Sequence, residues 1–164
     1  MSDSSLQTIF DRLSRDLARD TLIQTTADRL RKELHADRLV LYYFYYQWAG
    51  RVTFESLSDE KFSILGSSGP DQCFNGEYAK LYEDGRVRAI PDIELEPIAD
   101  CHRDFLRDLH VKANLVVPVL TAKGLWGLLV AHQCQSTHNW LPTEISSMQA
   151  AASQLAMSPS IRDN

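Results

Sequence analysis

Cysteine is scarce, with three residues in a chain of 164. Cys73, Cys101 and Cys134 cannot make a disulfide framework for a chain this long, so a hydrophobic core must hold it. No Cys-x-x-Cys or His-x-x-x-His spacing is present. Asp71, Cys73, Cys101, His102 and His132 are therefore metal-ligand types without a metal-site pattern, and no metal is expected. Glycine is also limited, at seven, and none of it forms a phosphate-cradling loop. No window approaches the roughly 18–20 apolar residues of a membrane span. The residues after Met1 carry neither the basic region nor the apolar run of a secretory signal. Positive charge is in deficit, with 17 Lys+Arg against 22 Asp+Glu and a net charge of −5, which argues against a nucleic-acid role. There is no internal repeat. These absences leave a cytoplasmic domain whose few thiols need individual explanations. The 44% hydrophobic and 24% charged residues are ordinary for a soluble globular chain. The length suffices for one core, and low hydrophobicity with high net charge, the signature of disorder, is missing.

Two amphipathic helices open the chain. Leu6, Ile9, Phe10, Leu13 and Leu17 fall at helical spacing, and Leu22, Ile23, Ala27, Leu30 and Leu34 repeat it. Thr21 with Gln24 reads as a capping box between them. The aromatic and β-branched run over 38–46 reads as a strand, followed by a turn at Trp48-Ala49-Gly50 and a returning strand over 51–57. Residues 58–76 show no period and read as a long functional loop. A short helix at 77–82, ended by Asp84-Gly85, a strand over 86–90 and a helix over 102–109 follow. Residues 113–120 and 125–132 form a hairpin around Thr121-Ala122-Lys123-Gly124, with Pro118 at an edge or bulged position. A last helix spans 142–157, and the tail over 158–164 is expected to be disordered. The order of elements predicts an α+β domain, an antiparallel sheet with segregated helices. Residues 1–20 read as an N-terminal helix or linker and 21–157 as the domain proper. The terminal helices either pack on their own sheet or form a bundle with a second copy, a homodimer, or with adjoining domains.

The cysteines differ in setting. Cys134 trails an apolar strand and reads as a small buried hydrophobe. Cys101 opens a predicted helix beside His102, the setting in which a thiol becomes a better nucleophile. Cys73 lies in the polar loop, two residues after Asp71. Among the aromatics, alternate members of Tyr42 to Tyr46 must face opposite sides of a strand. Tyr78 and Tyr82, four apart beside Cys73, are the better candidates to line a pocket. Trp140 either caps a site or packs on the tail.

The segments Cys101-His102-Arg103-Asp104-Phe105-Leu106, Val111-Lys112-Ala113-Asn114-Leu115-Val116-Val117-Pro118 and Leu125-Trp126-Gly127-Leu128-Leu129-Val130-Ala131-His132-Gln133 resemble the bilin-binding GAF domain of cyanobacteriochromes, photoreceptors related to phytochromes. Asp71-Gln72-Cys73-Phe74 is similar to the Asp-x-Cys-Phe motif of one subgroup. The likeness extends over about 37–155. It departs at Ser136-Thr137-His138-Asn139-Trp140, where Pro-Arg is more usual before the tryptophan.

The resemblance implies a GAF fold: a central antiparallel sheet with the N- and C-terminal helices on one face and a chromophore pocket on the other. Cys101 would form the thioether to a linear tetrapyrrole, phycocyanobilin or phycoviolobilin. Cys73 would add reversibly as a second thiol, giving a blue- or violet-absorbing state. Asp71 would hydrogen-bond the pyrroles, His102 would pack beside them, and Tyr78, Tyr82, Asn114 and, more weakly, His132 would complete the site. Arg86, Arg88, Arg103 and Lys112 are candidate partners for the propionates. Such a module photoconverts by ring D isomerisation. It catalyses nothing beyond its own bilin attachment and passes its signal to an output domain of kinase, cyclase or chemotaxis type. Two other classes remain open: a GAF domain binding a cyclic nucleotide or other small ligand, and a thiol enzyme or redox sensor using Cys101.

Overall fold

Alternation along Arg38–Tyr46 puts Val40, Tyr42 and Phe44 on one side of a strand and Leu39, Leu41 and Tyr43 on the other. Both sets are largely buried, so the strand has cover on both faces. That is its place in the computed structural model, which describes residues 3–46, 49–68 and 76–164. The elements are helices α1 (Asp3–Arg19) and α2 (Thr21–Glu33), strands β1 (Arg38–Tyr46) and β2 (Ala49–Leu57), a 3₁₀ turn at Glu60–Phe62, α3 (Gly76–Glu83), β3 (Arg88–Ile90), α4 (Asp100–Asp108), β4 (Ala113–Thr121), β5 (Gly124–Gln133), α5 (Pro142–Leu155) and α6 (Pro159–Arg162). The strands form one antiparallel sheet in the order β2-β1-β5-β4-β3.

One face carries the main core. Leu39 and Leu41 of β1, Leu115, Val117 and Val119 of β4 and Leu129 and Ala131 of β5 pack with Ile23, Ala27 and Leu30 of α2 and Met148, Ala152 and Leu155 of α5. The opposite face holds a smaller cluster of Val40, Phe44, Val52, Tyr82, Val116, Leu128 and Val130. A third cluster, built on Ile90, Ile93, Leu106 and Val111, seats α4 beside it. The α+β expectation, with terminal helices on one face and a pocket on the other, is met.

Several local expectations shift. Strand β2 begins at Ala49 rather than Arg51, while Trp48 of the expected turn lies outside the described residues. Helix α2 is capped by Asp20, whose side chain accepts from the Ile23 N–H, so the Thr21 capping box is replaced by a cap one residue earlier. α1 is no separate linker: Leu13 and Leu17 join the main core, and Phe10 meets Tyr45 edge-on with ring centroids 5.0 Å apart. The tail expected to be disordered folds back as α6, with Ile161 fully buried and the Ser158 and Ser160 hydroxyls donating to Asp20. Pro118 pairs with Leu128 of β5 but lies beyond the last β3 partner, Val116, so β4 is the edge of the sheet at this position. Gly127 faces β1 at its closest approach, and a Cβ there would run into the Tyr42 carbonyl.

Candidate functional site

The second sheet face is not closed by helices as the first is. Between it and α3, α4 and the loops before them lies a cavity of about 280 Å³. That volume is near the lower end of the range for small-molecule pockets, about 300–1,000 Å³, and residues 69–75 lie outside the described structure. Strand period places its floor: Val40 and Tyr42 from β1, Val52 from β2, Asn114 and Val116 from β4, and Leu128, Val130 and His132 from β5. Helix α4 adds His102, Phe105 and Leu106 at spacing that keeps them on one side. Tyr78 and Tyr82 descend from α3, with the Arg86 guanidinium 5.9 Å and 5.7 Å from their ring centroids. Arg86 and Arg88 complete the polar rim.

Polar side chains in this wall are few and particular. Asn114 is 2% exposed, and its buried Oδ1 has no hydrogen-bond partner among the described residues. A buried acceptor left unpaired costs about 1–3 kcal/mol, a debt that a ligand N–H would remove. His132, also buried, receives the Arg38 Nη1–H at Nδ1 over 3.1 Å. Burial, followed by the nearby Arg38 charge, lowers His132 to about 3, so it is neutral. Burial also lowers His102, aided by Arg88 and Arg86, and raises Tyr82. Among the described residues no carboxylate lines the cavity.

The structure brings His102, Tyr78, Tyr82, Asn114 and His132 together around this space. Cys101 stands on the first turn of α4, exposed, with Ala99 and His102 on either side lining the cavity. Asp71 and Cys73 lie outside the described residues. Of the four basic candidates, Arg86 and Arg88 reach the cavity. Arg103 instead staples α4 to the Ile93 and Glu96 carbonyls, and Lys112 lies at a separate surface hollow with His110 and Cys134. Trp140 packs rather than caps: its indole N–H donates to the Ile90 carbonyl at 3.2 Å within the helix-side core. Cys134 is buried as expected, and its thiol is raised chiefly by that burial. Sequence reasoning missed Ile64, Leu109 and the Val40–Val130–Val116 row, whose alternation was the available signal. It also missed Arg38, a charge at a strand start that carries no signal of burial.

Residues 18–158 match the GAF domain family over most of the chain. The chain belongs to that family. It is 45% identical over 156 residues to an uncharacterized protein of Picosynechococcus, covering 95% of this chain and 96% of that one. It is 39% identical over 109 residues to a methyl-accepting chemotaxis protein of Synechocystis, covering 66% of this chain but 11% of the relative. The GAF domain thus spans nearly all of one relative and a small part of the other. Among solved structures, the blue-light-absorbing form of the PixJ GAF domain from Thermosynechococcus elongatus superposes with a TM-score of 0.77 at 33% identity, over 87% of this chain and 84% of that one. A phycoerythrobilin-bound GAF domain of a cyanobacterial phytochrome gives 0.76 at 25% identity, over 96% and 95%. No described helix is long and apolar enough to cross a membrane.

Proposed function

We propose that this GAF domain is a photoreceptor module holding a linear tetrapyrrole, phycocyanobilin or phycoviolobilin, in the cavity beneath α3 and α4. The observation that carries the reading is the first turn of α4, which presents Cys101 beside a mainly apolar cavity that His102 lines. The likeness to the PixJ and phycoerythrobilin-bound domains supports it. Bound there, such a pigment supplies absorption of visible light and isomerisation of a double bond beside its ring D.

The chain's residues have distinct tasks. Cys101, disulfide-bonded in this structure, would first be freed by a thiol reductant and would then hold the pigment by a thioether, its sulfur bonding carbon while the thiol proton passes to the tetrapyrrole. Val40, Val116, Leu128, Val130 and Phe105 exclude water and restrict the rings. Arg86 and Arg88 would neutralise the propionates by charge-assisted hydrogen bonds. Neutral His102 packs without adding charge, and Tyr78 and Tyr82 close the side. Asn114 and His132 supply hydrogen bonds at the sheet. Cys73, as a free thiol, would add at the central bridge, its sulfur bonding carbon and its proton passing to the tetrapyrrole, dividing the conjugation and moving absorption to the blue or violet, with Asp71 hydrogen-bonding the pyrroles. Attachment would be this chain's own chemistry, without an enzyme. The chemotaxis relative supports an output domain as partner. A homodimer through the terminal helices would dock on their outer faces, because Leu13, Leu17, Met148 and Leu155 are buried within the chain.

The test is the Cys101→Ala protein co-produced with phycocyanobilin and run on a denaturing gel. Zinc-induced fluorescence of the protein band is expected to fall to background. Full covalent loading of that variant would overturn the assignment.

A further inference from the structure

One transverse row of the sheet is polar where its neighbours are aliphatic. Arg38 of β1 is the register partner of His132 on β5, which is the partner of Asn114 on β4, and all three are at most 4% exposed. The next row toward the cavity's middle is Val40, Val130 and Val116. Arg38 does not itself line the cavity. Its Nε donates to the Phe62 carbonyl at 2.7 Å and its Nη1 to the Leu109 carbonyl at 3.0 Å, tying β1 to the 3₁₀ turn and to the end of α4. The same Nη1 stands 3.1 Å from His132 Nδ1.

A guanidinium carries five N–H donors and no acceptor. The contact is therefore a hydrogen bond only if Nδ1 keeps its lone pair, which puts the ring proton on Nε2. An imidazolium there would set two buried cationic donors against each other. We propose that Arg38 is a positioning residue that fixes His132 as the Nε2–H tautomer, so that the deep end of the pocket always offers an N–H donor beside the Asn114 amide. This rests on reading the cavity as the ligand pocket, and the matching ligand group is a carbonyl-type acceptor. Among the described residues, the charge acting on His132 is that of Arg38. The titratable side chains lining the cavity are Tyr78, Tyr82, Arg86, Arg88 and His102, and the acidic groups close enough to act on Arg38 are Cys134, Glu55 and Asp37.

The test is long-range proton–nitrogen NMR of the nitrogen-15-labelled full chain, without pigment, between pH 5 and pH 8. A His132→Gln variant identifies the resonances. The expected result is a protonated Nε2, an unprotonated Nδ1 and no titration across that range. An Nδ1–H tautomer, or a midpoint near the ordinary imidazole value of 6.5, would overturn the proposal. In Arg38→Met, which removes the cationic donor from Nδ1, His132 should become a mixture of tautomers; an unchanged Nε2–H tautomer in a folded variant would also overturn it. Should that variant fail to fold, the wild-type spectrum decides alone. Pigment-free protein keeps this test separate from the photoreceptor reading, since a chain that never bound a bilin would still give either answer.

Discussion

Asn114 shows how a single atom separates a binding wall from a core. Its partners along the sheet, His132 and Ile90, give its Oδ1 no hydrogen bond, nor does any other described residue. Asn114→Leu, close to it in shape, is expected to stabilise the pigment-free chain by about 1–2 kcal/mol in urea denaturation while weakening pigment retention. A loss of stability would mean the oxygen has a partner after all. Tyr78 and Tyr82 were legible because helix period puts residues four apart on one face, whereas Asn114, His102 and His132 were reached through the family resemblance alone. Arg38 was not legible. A charged residue opening a strand looks like surface until the fold places Phe62 and Leu109 over it, and those contacts span 24 and 71 residues.

Among the elements, the junction of α1 and α2 carries more than its sequence announces. Asp20 caps α2 and also accepts from Ser158 and Ser160, so it fastens the C-terminal turn to the first two helices. Burial pushes its carboxyl up, but the hydrogen bonds from Ser158, Ile23, Ser160 and Leu22 outweigh this and hold it below 3.8. Because the folded value is depressed, its stabilising share is complete above the ordinary value near pH 4. It is lost as pH falls through the folded value. Asp20→Ala should therefore cost about 1–2 kcal/mol at pH 7, with the difference from wild type shrinking below about pH 4, as thermal unfolding at several pH values would record. The tail looked disordered because its seven residues are mostly polar and too few to show a period; Ile161 finds its place only through a fold that brings residue 161 back to residue 20. Two helix ends were equally silent. His35 and His110 take positive φ, 52° and 61°, at positions where glycine would have been the signal. Within the sheet, Gly127→Ala should cost about 3 kcal/mol or fail to fold, because the backbone of β1 has no room for a Cβ.

For the whole molecule, the asymmetry of the sheet divides the labour. The face under α2 and α5 is closed by the main core and supplies rigidity. The face under α3 and α4 is thinly covered, and its aliphatic rows end in a few buried polar groups and two arginines. Element order made this layering readable, since helices at both chain ends around consecutive hairpins can cover one face together. What order could not supply was the arrangement of 58–76, a stretch without period, of which 69–75, with Asp71 and Cys73, lies outside the described residues. The most direct measurement is the absorption spectrum of the full chain co-produced with phycocyanobilin, taken before and after illumination at its peak, beside the Cys73→Ala variant. The account predicts a coloured protein that switches reversibly between a short- and a long-wavelength band, and a variant that keeps its pigment but loses the short-wavelength band. A colourless protein would contradict the photoreceptor reading, and an unchanged blue or violet band in Cys73→Ala would contradict the second linkage.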